Sequence, residues 1–421
     1  MITTQSAVTI ATVVPPQNVA HLQQLLEQAG RDPASNSLVS FGLFPNVHFA
    51  RFFILPAATD REGNAYSSRL VFLADVDGPA DAFVLQLVGA AGDGLHSIYQ
   101  HCAGYPGRAG LLDYLQRNSI ETTASYVNTV GRTVGQVRQE AQLHDAIEAF
   151  LDTNAQQLRS TNSRAVRAAI QEYVERDPAL AWAREPPPTP EMQYVLGEKV
   201  QLALVGAAGI VLFPYILLAA PLYLAILRWH ETHDVSNDVM PDDALIQKLA
   251  AQEDHGVQNP FTSAGFLKPG WFRRLTGSVV LWGTNFLARH VFNHADLIGV
   301  KTIHFARWVF LDQQRRLFFA SNYDGSLENY MDDFIDKIAW GLNIVFSNGV
   351  DYPATRFLVL DGAQNEQVFK RFNLTHQLVT PLWYAAYQGL TALNIENNAR
   401  IRAGLYGALD EAATCAWLRR L

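Results

Sequence analysis

The sequence predicts an α+β protein built from two tandem βαββαβ units with a helical insertion between them. Three observations predict it. "NVHFARFF" (46–53) and "TIHFARWVF" (302–310) each hold His-Phe-Ala-Arg inside an apolar run. "RLVFLADVDG" (69–78) then matches "RLFFASNYDG" (316–325), and Tyr105-Pro106 in one stretch is answered by Tyr352-Pro353 in the other. Three markers recurring in one order identify an internal duplication. Their spacing contracts in the second copy because the loop "PAATDREGNAYSS" is longer than "DQQR".

The first unit spans 1–130. "AVTIATVV" (7–14) alternates as a strand does. "PQNVAHLQQLLEQAG" (16–30) is a helix with Pro near its start and Gly30 at its end. Strands at 46–55 and 69–76, a helix at 79–101 and a fourth strand "TASYVNTV" (123–130) complete it. The second unit, 259–362, repeats the order with a strand at 261–268, a helix at 271–292, strands at 302–311 and 315–322, a helix at 326–346 and a strand at 355–361. This is the ferredoxin-like order, and two such units packed sheet against sheet make a pseudo-dimeric α+β barrel. The insertion, 131–258, holds amphipathic helical stretches at 134–157 and 161–177 and the linker "REPPPTPE" (184–191). Residues 363–421 read as a C-terminal helical segment.

Of the 421 residues, 49% are hydrophobic and 17% charged, so a large core is available. The net charge is −8 and basic residues cluster only as the pairs Arg273-Arg274 and Arg315-Arg316, which gives nucleic acid no electrostatic footprint. Two cysteines, Cys102 and Cys415, make no disulfide framework and fit reducing surroundings. The N-terminus lacks a basic stretch followed by a continuous apolar core, so it does not read as a signal peptide. These features point to a cytoplasmic protein.

The stretch from Gln201 to Leu227 carries no charged side chain. It is long enough to span a bilayer, yet a single span would separate the two units. Pro214 and Pro221 interrupt a straight helix. Two half-helices dipping into one leaflet satisfy both facts; a buried hairpin and a true span are the alternatives. Arg228, Trp229 and His230 suit an interfacial edge. The expectation is peripheral or monotopic contact with a membrane surface.

If Gln313-Gln314 is the turn of the second hairpin, Arg307 lies opposite Ala320, with Asn322 and Asp324 on its face, and His304 lies opposite Tyr323. A charged Arg in so apolar a strand requires partners; Asn322 and Asp324 are the nearest, and Asp75 and Asp77 stand equivalently to Arg51. Such a cluster either faces a cavity as a site or simply pins a hairpin to its helix. "RWHETHD" (228–234) places His230 and His233 three apart, a weak metal signal.

The "SNYDG" (321–325) and "ADVDG" (74–78) stretches, on this tandem architecture, resemble the dimeric α+β barrel superfamily, which includes dye-decolorizing peroxidases and chlorite dismutases. Those families bind haem within a ferredoxin-like unit, and the peroxidases carry Gly-x-x-Asp-Gly with a nearby Arg. The Asp-Gly matches here; the leading Gly is Ser321 or Ala74. The resemblance implies Asp324 and Arg307 as catalytic groups. Haem needs an axial ligand, most often His. His376, in "RFNLTHQLVTPLWYAAY", is the first choice and His304 the second; a satisfied core histidine is the alternative for each. Asn398, Arg400 and Arg402 can grip a propionate, phosphate or carboxylate.

Three functional classes follow. One is a haem-dependent peroxidase-like or oxygenase-like enzyme acting on a lipophilic substrate at a membrane. The second is a non-catalytic carrier of a lipid or other hydrophobic ligand. The third is a cofactor-free monooxygenase or isomerase with His304 or Tyr323 as base.

Overall fold

The computed structural model describes residues 4–187, 192–234, 240–292 and 297–421. The main strands are β1 (Gln5–Val13), β2 (Val47–Leu55), β3 (Arg69–Asp77), β4 (Ala124–Val127), β5 (Gln258–Phe266), β6 (Ile303–Leu311), β7 (Arg316–Asp324) and β8 (Leu382–Ala385). The main helices are α1 (Val19–Gly30), α2 (Ala80–Tyr99), α3 (Val134–Thr153), α4 (Ser163–Arg176), α5 (Met192–His233), α6 (Trp271–His290), α7 (Leu327–Phe346), α8 (Glu366–His376), α9 (Ala392–Ala403) and α10 (Glu411–Leu418). The architecture is mixed α+β with two antiparallel four-stranded sheets, ordered β1-β3-β2-β8 and β4-β6-β7-β5.

Each sheet borrows its fourth strand from the other half of the chain. The segment after the first three strands bridges its own edge strand once, Ser119 on Ile10 and Gln377 on Ser263, and then crosses over. Thus β4 pairs with β6, and β8 pairs with β2. This corrects two expectations. The strand at 123–130 does not complete its own sheet, and 355–361 forms only a two-residue ribbon, Thr355–Arg356 on Leu360–Asp361. The closing strand lies instead inside the segment read as helical. The open edges of β2 and β6 explain the exchange, since each presents unpaired backbone groups that another strand satisfies. No continuous ladder joins the sheets into a closed barrel among the described residues.

Both second strands are buried nearly throughout, as a strand covered on two faces must be. Their outer faces pack against helices. In the first half Phe52, Phe72 and Leu87 form one core; in the second, Trp308, Phe319 and Phe334 form another. Between the sheets lie Phe53, Val71, Leu73, Val309, Leu311 and Phe318.

The inner face also carries two arginines, each 3% exposed. Arg51 Nη1 donates to Phe261 O (2.8 Å) and Thr262 Oγ1 (2.9 Å), and its Nη2 to Ser321 O (2.8 Å) and Asn322 Oδ1. Arg307 makes the mirror set: Nη1 to Val8 O (2.6 Å) and Thr9 Oγ1 (3.3 Å), Nη2 to Ala74 O (2.9 Å) and Asp75 Oδ1. Each guanidinium therefore ties two strands of the opposite sheet. The expected partnership of Arg307 with Asn322 and Asp324 within one hairpin is replaced by this crossed arrangement, because the side chain points into the gap between sheets.

The apolar segment 201–227 is not a pair of half-helices. It lies within α5, which runs unbroken through Pro214 and Pro221. Each proline removes one backbone donor and crowds the preceding turn, yet α5 continues through both. Of the linker 184–191, residues 188–191 lie outside the described residues.

Arg307→Met leaves Asp75 buried beside empty space and removes four hydrogen bonds. The expected cost in urea denaturation is about 3–5 kcal/mol. Arg117→Met, which breaks the exposed pair with Asp113, is expected to cost under about 1 kcal/mol. Equal effects would contradict the clamp.

Candidate functional site

The histidines of the repeat occupy matching irregularities. Ladder register slips between Val47 and Phe49 and again between Ile303 and Phe305, so His48 and His304 each sit in a bulge. The slip puts Ile303, not His304, opposite Tyr323. His48 Nε2 meets Asp77 Oδ1 at 3.0 Å, and His304 Nε2 meets Asp324 Oδ1 at 2.7 Å. The second carboxylate oxygen of each Asp accepts a helix N-terminal amide: Val134 N to Asp77 Oδ2 (2.9 Å), Ala392 N to Asp324 Oδ2 (2.7 Å). The following glycines, Gly78 and Gly325, have φ of +85° and +80°, which explains the repeated Asp-Gly in backbone terms.

These contacts account for Asp324, which is 6% exposed with both oxygens engaged. Its carboxylate anchors α9 at Ala392 N. His48 Nδ1 also meets the Tyr387 hydroxyl at 2.8 Å; burial first, then Asp75 and Asp77, push that phenol well above its usual range. Burial pushes the Arg51 guanidinium down, Asp75 draws it back up, and Arg307 pushes it down again. The space between the sheets around Arg51 and Arg307 leaves no room for a ligand. Arg307, Asp324 and His304 thus belong to the joint between the halves.

The expected haem contacts do not converge. His376 closes α8, with Nδ1 2.9 Å from Phe372 O and its ring against Gly265, where a Cβ would stand 2.9 Å from the imidazole. Burial lowers its pKa. Asn398 and Arg402 are buried in α9, which packs on α3; Arg402 Nη1 donates to Glu140 Oε1 (3.3 Å) and its guanidinium covers Trp182. Arg400 Nε donates to Glu396 Oε1 (2.9 Å). Near α5, Glu231 accepts the backbone amides of Phe357 and Leu358, and Asp234 pairs with Lys268 and Arg273. No three described His, Cys, Asp or Glu side chains are grouped to hold a metal.

An apolar cavity of about 330 Å³ opens on the outer face of the second sheet, between α6 and α7. Its floor is Ala306, Trp308 and Phe319; Val279, Leu287 and Trp340 line it and are themselves exposed. In the first half, Phe41 and Phe44 from the loop between α1 and β2 fill space under the helices. In the second, Phe292, Leu297 and Ile298 after α6 line the cavity. A more polar cavity of about 380 Å³, with Glu253, His255, Gln377 and Trp383 in its wall, lies near the β5 edge.

No protein-family model matches this chain, and no curated protein or solved structure is significantly similar to it. The site must be read from its own residues.

Those residues do not fit haem in the apolar cavity. Among the described residues no His lines it, and no charged side chain is present to hold propionates. His376 lies one turn beyond Phe369 and Asn373, which do line it, but its ring is turned to Gly265. Sequence reasoning singled out neither Trp308 nor the α6 residues. The apolar spacing of α6 was the available signal, and it reads equally as ordinary core.

Beside the cavity lies α5, whose stretch Leu196–His233 holds an 18-residue window with a mean hydropathy of 2.4, of which only 6% is buried. It is long and apolar enough to cross a membrane. Both of its ends are fixed to the second half: Glu198 pairs with Arg289 and His290 (3.0 Å), while Tyr223 and His230 pack on Phe272. The α5 midsection is bare, with Ile210 78% and Leu218 82% exposed, and so is the facing helix at Leu275, Val279 and Trp282. The two helices meet at their ends without burying their middles.

Hemin added to the purified protein is expected to give no saturable Soret shift dependent on His376. A sharp band that disappears in His376→Ala would restore the haem reading.

Proposed function

We propose that this protein lies on a membrane surface and binds a lipophilic molecule in the cavity between α6 and α7. The observation that carries this reading is the continuity of the bare α5 and α6 surfaces with the exposed cavity rim. A helix apolar all round requires apolar surroundings on all sides, and the body of the protein supplies them only at its ends. Acyl chains meet that need. Four exposed tryptophans, Trp229, Trp271, Trp282 and Trp340, occur on α5, α6 and α7, as expected of rings at an interface. Attachment of both helix ends to one half favours a helix lying along that face over one crossing the bilayer.

In this reading the halves are duplicated ferredoxin-like units whose fourth strands have been exchanged, with the crossing segments as the seams of a pseudo-dimeric barrel. The matched His-Asp pairs, reciprocal arginines and equal strand orders support it. The first unit keeps a filled core and serves as the base. The second has an open one and holds the ligand. Binding rather than catalysis is favoured because the polar groups of the repeat are consumed by structure.

Flotation with phosphatidylcholine vesicles tests the membrane contact. The wild-type chain is expected to float, and Ile210→Asp/Phe213→Asp/Leu217→Asp to remain with the soluble fraction, since each carboxylate at a bilayer centre costs about 2.5–3.5 kcal/mol. A wild-type chain that stays soluble as a lipid-free oligomer would instead assign α5 to a second copy. Mass spectrometry of an organic extract reads the cavity's occupant.

A further inference from the structure

The dimensions of the cavity narrow what enters it. An apolar cavity of about 150 Å³ takes up one benzene. The space of about 330 Å³ between α6 and α7 therefore holds about twice as much, on the order of a dozen carbons. That is one hydrocarbon chain of moderate length. It is far less than the two tails of a diacyl lipid.

The shape points the same way. The lining residues on α6 run from Val279 to Ala288, about 13 Å at helical rise. On α7 they run from Tyr330 to Phe346, about 24 Å, whereas a round space of about 330 Å³ would be roughly 9 Å across. With a side chain's thickness of wall allowed at each end, the space is still drawn out along α7. Its floor is a packed sheet, where the rings of Trp308 and Phe319 meet at 4.8 Å between centroids. The rim at Val279, Leu287 and Trp340 is exposed. A second chain beside the first would have to part the helices, and over-filling a packed interior is unfavourable.

Resting on the membrane-surface reading above, we propose that the cavity is a slot for one unbranched hydrocarbon chain of about a dozen carbons, laid along α7. Its occupant is a single-chain lipophile. The chain enters over the exposed rim from the acyl region of the bilayer.

The test compares two isomers of one composition, 1-bromododecane and 5-(bromomethyl)undecane, added to the full-length protein in a nonionic detergent. They differ only in having one chain or two. Bromine quenches tryptophan emission on contact. Trp308 is the reporter: it lines the floor and is 7% exposed, so bromine in the surrounding micelle does not reach it. Its signal is the difference between the wild type and Trp308→Phe, which cancels the exposed tryptophans. The linear isomer is expected to quench Trp308 at a mole fraction about tenfold lower than the branched one. Equal quenching, or a preference for the branched isomer, overturns the slot while leaving a ligand cavity in place. Failure of both isomers to quench overturns the cavity reading itself. Gly283→Phe places a ring in the cavity from α6, where an added Cβ meets nothing within 4 Å. It should abolish quenching by the linear isomer, and quenching that survives contradicts occupancy of the slot. A measurement that needs no variant is the organic extract of the purified protein. A single-chain compound of about 10–14 carbons at one per protein supports the proposal, and a diacyl lipid at one per protein overturns it.

Discussion

The structure depends on two arginines that reach across the gap between its sheets. Arg51 and Arg307 each grip the first and third strands of the opposite half, using main-chain carbonyls whose remaining lone pairs are free to accept. The two cations lie close enough to repel, and only Asp75 among their direct partners is charged; its counterpart is Asn322. Burying such a set is unfavourable unless every hydrogen bond is made. The arrangement therefore admits one relative placement of the sheets. The bulged histidines, their aspartates and the helices those aspartates cap follow from that placement.

Much of this was legible in the sequence, and the reasons for what was not are physical. The His-Phe-Ala-Arg repeat located both second strands, and a turn at Gln313-Gln314 placed Arg307 opposite Ala320 as observed. The bulge at His304 broke the extrapolation three residues further on. The partners of the arginines were invisible because they lie more than 200 positions away in the chain. The strand Leu382–Ala385 is four residues long, too short for periodicity to separate it from the helices around it. The apolar stretch was recognised, but its two prolines suggested a break that the helix does not make.

The cavity shows the opposite relation between copies. Each half carries a four-stranded antiparallel sheet with helices against it, and the difference arises in the packing above the sheet. Phe41 and Phe44 fill one half; in the other, the residues after α6 stay at the wall. Nothing in the repeated motif reports this, because a void is a property of several distant segments at once. The polar groups that looked most reactive in the sequence serve as joinery, and the candidate binding surface is built from residues that looked like ordinary core.

The exchange of fourth strands also sets an order on biosynthesis. A chain emerging from its N-terminus folds units as they become available, but the first sheet lacks an edge until Leu382–Ala385 appears. The apolar α5 emerges long before that. It is complete while the first half is still open along β2, so the apolar helix is made before the strand that closes the first sheet. The last strand to be made is the one that closes the first sheet.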